Sequence, residues 1–254
     1  MMQLNYTLMQ NIDVITNNLS QLRDETLRTQ NNNGIFAQDY FCWLNNAVFA
    51  DYSTITFLLK SMPDINQFDL RPIYCILRSS LEKYADILNL YIKGNAYYAY
   101  MNYLNSESAS KEFKAKGDIE NGIIKKNEAN EYANSVKQTF NINICNRTTR
   151  YYLLGEFNRL PQIGNLFFIL EFNRNIVRLD SRFSQILHNN IESNSSNNFQ
   201  KTNEILKSIH YMMYMSLCLF QVYYNLNTPQ INQGIQYLKN AIDIINNNQG
   251  VLNI

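Results

Sequence analysis

The chain has 254 residues, 22 Lys and Arg against 21 Asp and Glu, and a hydrophobic content of 46%. That length and apolar share suffice for a sizeable core and exclude a predominantly disordered chain. A formal charge of +1 excludes attraction to nucleic acid or membrane through bulk charge, so such a partner requires a local patch. Four Pro and eight Gly leave few places for turns, which favours long helices. The 39 Asn read as a compositional bias of the coding sequence, and the 18 Tyr and 14 Phe, mostly at periodic apolar positions, as core.

Leu4, Leu8, Ile12, Ile15, Leu19 and Leu22 recur at steps of four and three, which predicts a helix ending near 31–34. A second helix is expected from about Ala37, carrying Tyr40, Trp43, Leu44, Ala47 and Val48, bending near 51–53 and closing at Met62-Pro63. Asp69 before Arg71-Pro72 signals the next start. Ile73, Leu77, Leu81, Leu88 and Ile92 then hold one face, with Gly94 as the stop. Residues 95–105 read as an aromatic helix, and the charged stretch 106–130 as a solvated helix pair or a mobile insertion, a lid in the second case. The pattern over 141–164 is weak, and 165–190 is helical. Residues 192–198, almost all Ser and Asn, read as a loop, and 199–226 as a buried helix. Thr228-Pro229 caps a last helix in which Ile231, Ile235, Leu238, Ile242 and Ile245 share a stripe. No repeat and no separating linker is visible, so the expected fold is a single all-α domain over 1–254, a multi-helix bundle of about seven or eight helices. The narrow stripes of its first and last helices suit packing on a helix of the same chain or of a second subunit.

Cys42, Cys75, Cys145 and Cys218 lie far apart, without metal-ligand spacing, and read as buried reduced thiols. Residues 1–10 carry no Lys or Arg and no apolar run, unlike a secretory signal. The apolar stretch 211–224 is shorter than the roughly 18 to 20 residues of a membrane span. The expectation is a soluble cytoplasmic protein without a membrane partner. Absence of Glu-x-x-His, His-Glu-x-x-His, Gly-rich phosphate loops and serine elbows leaves no metal site and no cofactor to expect.

With two histidines the acid/base inventory at neutral pH is short. His210, beside Ile209, Tyr211 and Met212, reads as a satisfied core histidine. His188 stands near a helix end before a polar loop, open to a substrate. Upstream Arg174, Arg178 and Arg182 are spaced at four and form one basic row able to contact successive phosphates, while Ser184 lies one turn below His188, where its hydroxyl could orient the imidazole. Arg182 and His188 are six apart, about 120° around an ideal helix, and would converge through the reach of arginine, a local irregularity or a second copy of the chain. On an earlier helix Arg78, Glu82 and Asp86 share a face. They read as a surface ion-pair ladder or, alternatively, Arg78 and Glu82 face the cavity of His188, with Glu82 fixing its tautomer or the pose of Arg182.

Arg182-x5-His188 resembles the Arg-x4-6-His motif of the HEPN superfamily, many members of which are metal-independent ribonucleases of toxin and antiviral defence systems. The resemblance implies an all-α HEPN-like fold, an RNA partner, and a homodimer that pairs two motif helices into one composite site, with Arg182, His188 and Ser184 as its catalytic residues. Many members carry a polar residue directly after the arginine, where this chain has Phe183. The reading that follows is an endoribonuclease acting through the 2′-hydroxyl of RNA. Its alternative is a non-catalytic helical interaction module that binds a protein partner, an inhibitor for example, or a nucleotide.

Overall fold

The computed structural model describes residues 40–61, 69–155, 160, 166–188, 198–225 and 227–249, and every regular element among them is a helix. In chain order these are α1 (Tyr40–Ser61), α2 (Arg71–Lys93), α3 (Asn95–Ala115), α4 (Ile119–Phe140), α5 (Thr149–Tyr152), α6 (Leu166–Arg174), α7 (Ile176–His188), α8 (Asn198–Tyr223) and α9 (Pro229–Gln249). The all-α expectation holds. The predicted first helix, the Met62-Pro63 stop and most of the Ser/Asn loop lie outside the described residues.

The chain divides into two compact units, and the boundary, between Tyr84 and Ala85, falls inside α2. In the first unit α1, α6 and α9 pack on α8, which is buried without interruption from Ser208 to Phe220 because that stretch carries no charged side chain apart from a neutral histidine. Phe41, Leu44, Val48, Tyr52, Ile55 and Leu59 form the buried stripe of α1, stepping by three and four. Residues 51–53, where a bend was expected, lie inside one unbroken helix. Ser53, Thr54 and Thr56 donate their hydroxyls to carbonyls one turn back, at 2.9 to 3.1 Å, and so stay within a continuous helix. Asp51 is held by Ser80 at 2.7 Å and Lys83 at 2.6 Å. On α9 the Thr228 hydroxyl accepts the N–H of Ile231, as the cap predicted, and Ile231, Leu238, Ile242 and Ile245 are buried. The helix predicted over 165–190 is two helices, interrupted at Asn175.

The second unit begins with the C-terminal half of α2. The start of α2 is as read, with the Asp69 carboxylate accepting the N–H of Arg71 at 3.0 Å. Its end is Gly94, which at φ 55° takes a left-handed backbone and lets α3 leave in a new direction. Of the two readings of 106–130, the helix pair is the one adopted: α3 and α4 pack side by side around the turn 116–118, and the Asp118 carboxylate accepts the N–H of Asn121 to cap α4. Gly122, Ala129 and Val136, seven residues apart, are the buried seam of α4. Ser110 donates to the Gly122 carbonyl at 2.7 Å across it. Residues 141–155, weakly patterned in sequence, are fixed by polar groups instead of by apolar periodicity. Tyr100 donates to the carbonyls of Asn146 and Arg147, and Asn89 donates to that of Arg150.

Cys42 and Cys218 are buried, Cys145 is half-buried with its thiol pushed up to about 11 by burial, and Cys75 is exposed. The expectation of four buried thiols therefore fails at Cys75, which points away from the apolar stripe of α2. Among the described residues no helix is long and apolar enough to cross a membrane.

Candidate functional site

The amphipathic pattern of α7 decides what it can present. Ile176 and Phe183 are buried, while Arg178, Ser181, Arg182, Gln185 and His188 are exposed at steps of three and four on the opposite side. Arg182 and His188 thus share the solvent face, about 9 Å apart along the axis and about 120° around it, with Gln185 midway. Phe183 is fully buried, its ring 5.5 Å from that of Tyr74 on α2. The position after the motif arginine is a core position in this chain, so a polar residue there would have no water and no partner.

Two ion pairs flank that apolar contact. Arg78 on α2 donates its Nε–H to Asp180 at 2.9 Å, and Arg182 forms an ion pair with Glu204 on α8, its Nε 3.1 Å from the carboxylate. The second oxygen of Glu204 accepts the Tyr74 hydroxyl at 3.2 Å. Burial raises the Glu204 carboxyl above the usual carboxylate range, opposed by the charge of Arg182 and by the Tyr74 hydrogen bond. Burial likewise raises the Tyr74 phenol, which stays protonated and is therefore the donor.

His188 is exposed, and its Nδ1 lies 2.7 Å from the carbonyl oxygen of Ser184. Because a carbonyl only accepts, Nδ1 carries the proton in the neutral ring and Nε2 carries the lone pair. Ser184 does orient the imidazole, but through its backbone carbonyl instead of the hydroxyl expected from the sequence. His210 is the opposite case. It is fully buried, donates Nδ1–H to Leu206 at 2.7 Å, and accepts from Tyr52 at Nε2, 3.2 Å away. Burial lowers it to about 4, so it is neutral and structural, as the sequence predicted.

The predicted Arg row does not survive as one continuous feature, since Arg174 ends α6 and Arg178 and Arg182 belong to α7. Nor is the Arg78, Glu82, Asp86 set a surface ladder. Asp86 is 4% exposed, accepts the Tyr97 hydroxyl at 2.6 Å and pairs with Arg150 Nε at 3.1 Å, while Arg78 is bound to Asp180. Glu82 is half-buried on α2. The two tasks expected of it fall to other groups: the Ser184 carbonyl sets the His188 tautomer and Glu204 holds Arg182. Glu204 escaped the sequence reading because it precedes the apolar run of α8, although one signal was there: it is the sole acidic residue between Glu192 and Asp243.

Among the described residues no group of three or more His, Cys, Asp or Glu gathers where it could hold a metal ion. Comparison with family models, with curated proteins and with solved structures finds no match for this chain.

Proposed function

We propose that α7 carries the centre of a HEPN-like, metal-independent endoribonuclease, a cytoplasmic effector of a toxin or antiviral defence system. One observation carries this reading: the motif histidine is exposed, and its Nδ1–H is held by a carbonyl, so that Nε2 is presented as a proton acceptor. Such a group can take the proton of a ribose 2′-hydroxyl as that oxygen attacks the adjacent phosphorus. The 5′-oxygen leaves with a proton from an acid, and the product is a 2′,3′-cyclic phosphate. The guanidinium of Arg182, exposed on the same face, offers charge-assisted hydrogen bonds to the phosphorane, with Arg178 one turn away on the same helix. One imidazole serves one role at a time, so the acid is assigned to His188 of a second copy, in keeping with the dimer that the resemblance implies. The defence context rests on the resemblance alone.

The test is incubation of the purified chain with single-stranded RNA and the same sequence as DNA. RNA cleavage to 2′,3′-cyclic ends, intact DNA, and loss of cleavage in a folded His188→Ala variant are expected. Cleavage that persists in that variant overturns the assignment.

The second reading, a non-catalytic module that binds a protein partner, is favoured by a different observation. Trp43 and Phe57, two heptads apart on α1, are 60% and 68% exposed. It predicts no turnover of any RNA and no effect of His188→Ala.

A further inference from the structure

We propose that Glu204 is the positioning residue of the site: from α8 its carboxylate holds the guanidinium of Arg182 in an ion pair and keeps it poised for a phosphate of single-stranded RNA on the exposed face of α7. This rests on the nuclease reading above and adds to it a residue that the Arg-to-His motif does not contain.

Both oxygens of the Glu204 carboxylate are used, one by Arg182 Nε at 3.1 Å and the other by the Tyr74 hydroxyl at 3.2 Å, so the group is held at two points and does not rotate freely. The pair is also graded in depth. The Glu204 side chain is 15% exposed and that of Arg182 62%, which places the anchored end of the guanidinium inward and its remaining donors outward. An arginine already held this way loses less rotamer freedom on binding than one waving in solvent. The buried contact of Phe183 with Tyr74 seats the α7 backbone beneath, and the same tyrosine supplies the second hydrogen bond to Glu204. A largely buried carboxylate beside a cation, with its protonation shifted upward by burial, also fits a site group better than a loose surface pair.

The competing account is a clamp that only joins α7 to α8. A double-mutant cycle separates the two, with Glu204→Ala, Arg182→Ala and the double variant measured for kcat/KM on single-stranded RNA and for thermal stability. Expected is a loss of about tenfold in kcat/KM for Glu204→Ala, little of it regained in Glu204→Gln, which keeps the shape but not the charge, and no further loss when Glu204→Ala is added to Arg182→Ala. An equal loss in both backgrounds, or a lower melting temperature with kcat/KM unchanged, overturns the proposal. If the wild-type chain cleaves no RNA, the nuclease reading falls by itself. The cycle is then read from equilibrium binding of the same RNA at low salt, where dependence of the Glu204→Ala effect on Arg182 supports positioning, and independence or absent binding overturns it.

Discussion

α8 and α4 are of similar length, 26 and 22 residues, yet they are held in their units by opposite means. α8 is buried on every side over 13 consecutive residues, 208–220, which are apolar or aromatic apart from Ser208, His210 and Ser216, and its neighbours cover it all round. α4 carries Glu120, Lys125, Lys126, Glu128, Glu131 and Lys137, so only the narrow line Gly122, Ala129, Val136 leaves water. The small residues on that line permit close approach: a Cβ on Gly122 would stand 2.6 Å from the Cγ of Lys114. What α4 lacks in apolar area its unit regains in a buried polar cluster, Asp86, Tyr97 and Arg150, at the far end from the turn. A helix hydrophobic all round takes its position from desolvation, which is non-directional. A helix with a thin seam needs directional anchors near it.

That contrast breaks most visibly at the anchor. Arg150→Met leaves the Asp86 carboxylate buried without its cation, and the expected loss is about 3–5 kcal/mol in urea unfolding; a loss below about 1 kcal/mol would show that the second unit does not depend on the cluster. In the first unit the corresponding change is Phe183→Asn, which installs the polar residue many HEPN proteins carry after the arginine. Because Phe183 is fully buried against Tyr74, destabilisation of about 3–5 kcal/mol is expected in place of any gain in activity.

A third effect belongs to the α8 core alone. His210 has a folded value of about 4 against an ordinary 6.5, so between those values the unfolded chain binds a proton that the folded chain refuses. Its contribution is complete above pH 6.5, falls as the pH drops, and is lost by about pH 4, amounting to about 3 kcal/mol. Unfolding free energies measured from pH 7 to 4 for the wild type and His210→Gln should differ in slope across this window; parallel curves would contradict the assignment of a neutral buried imidazole. The smallest effect is expected on the hairpin surface. Glu107 pairs with Lys126 at 2.6 Å and with Lys111 at 3.5 Å, both partly exposed, and Glu107→Ala should cost under about 1 kcal/mol, with the remainder screened further by salt. A larger loss would mean that ion pairs, and not the seam, hold α3 to α4.

Elements whose buried face repeats every three or four residues were legible in the sequence: α2 and α9 start, face inward and cap as their periodicity and turn residues indicate, whereas on α1 Trp43, read with Tyr40, Leu44, Ala47 and Val48, is exposed. The interruption at Asn175 was not, because Asn165 to Asn190 keeps an apolar density that one helix or two satisfy equally. At the candidate site, the exposure of His188 and the core role of His210 followed from their neighbours in the chain. The partners did not, since Asp180 and Glu204 meet Arg78 and Arg182 across 102 and 22 positions of sequence.

By itself the sequence determined that this chain is helical, which faces its helices bury, and that its one accessible imidazole sits near an arginine, since propensity, turn residues and apolar period are all local quantities. Only the tertiary structure decided which carboxylate holds that arginine, which atom orients the imidazole, and why an aromatic residue follows the arginine in the chain. Those outcomes depend on side chains from separate helices arriving at one place, and pairing of that kind leaves no periodic trace along the chain.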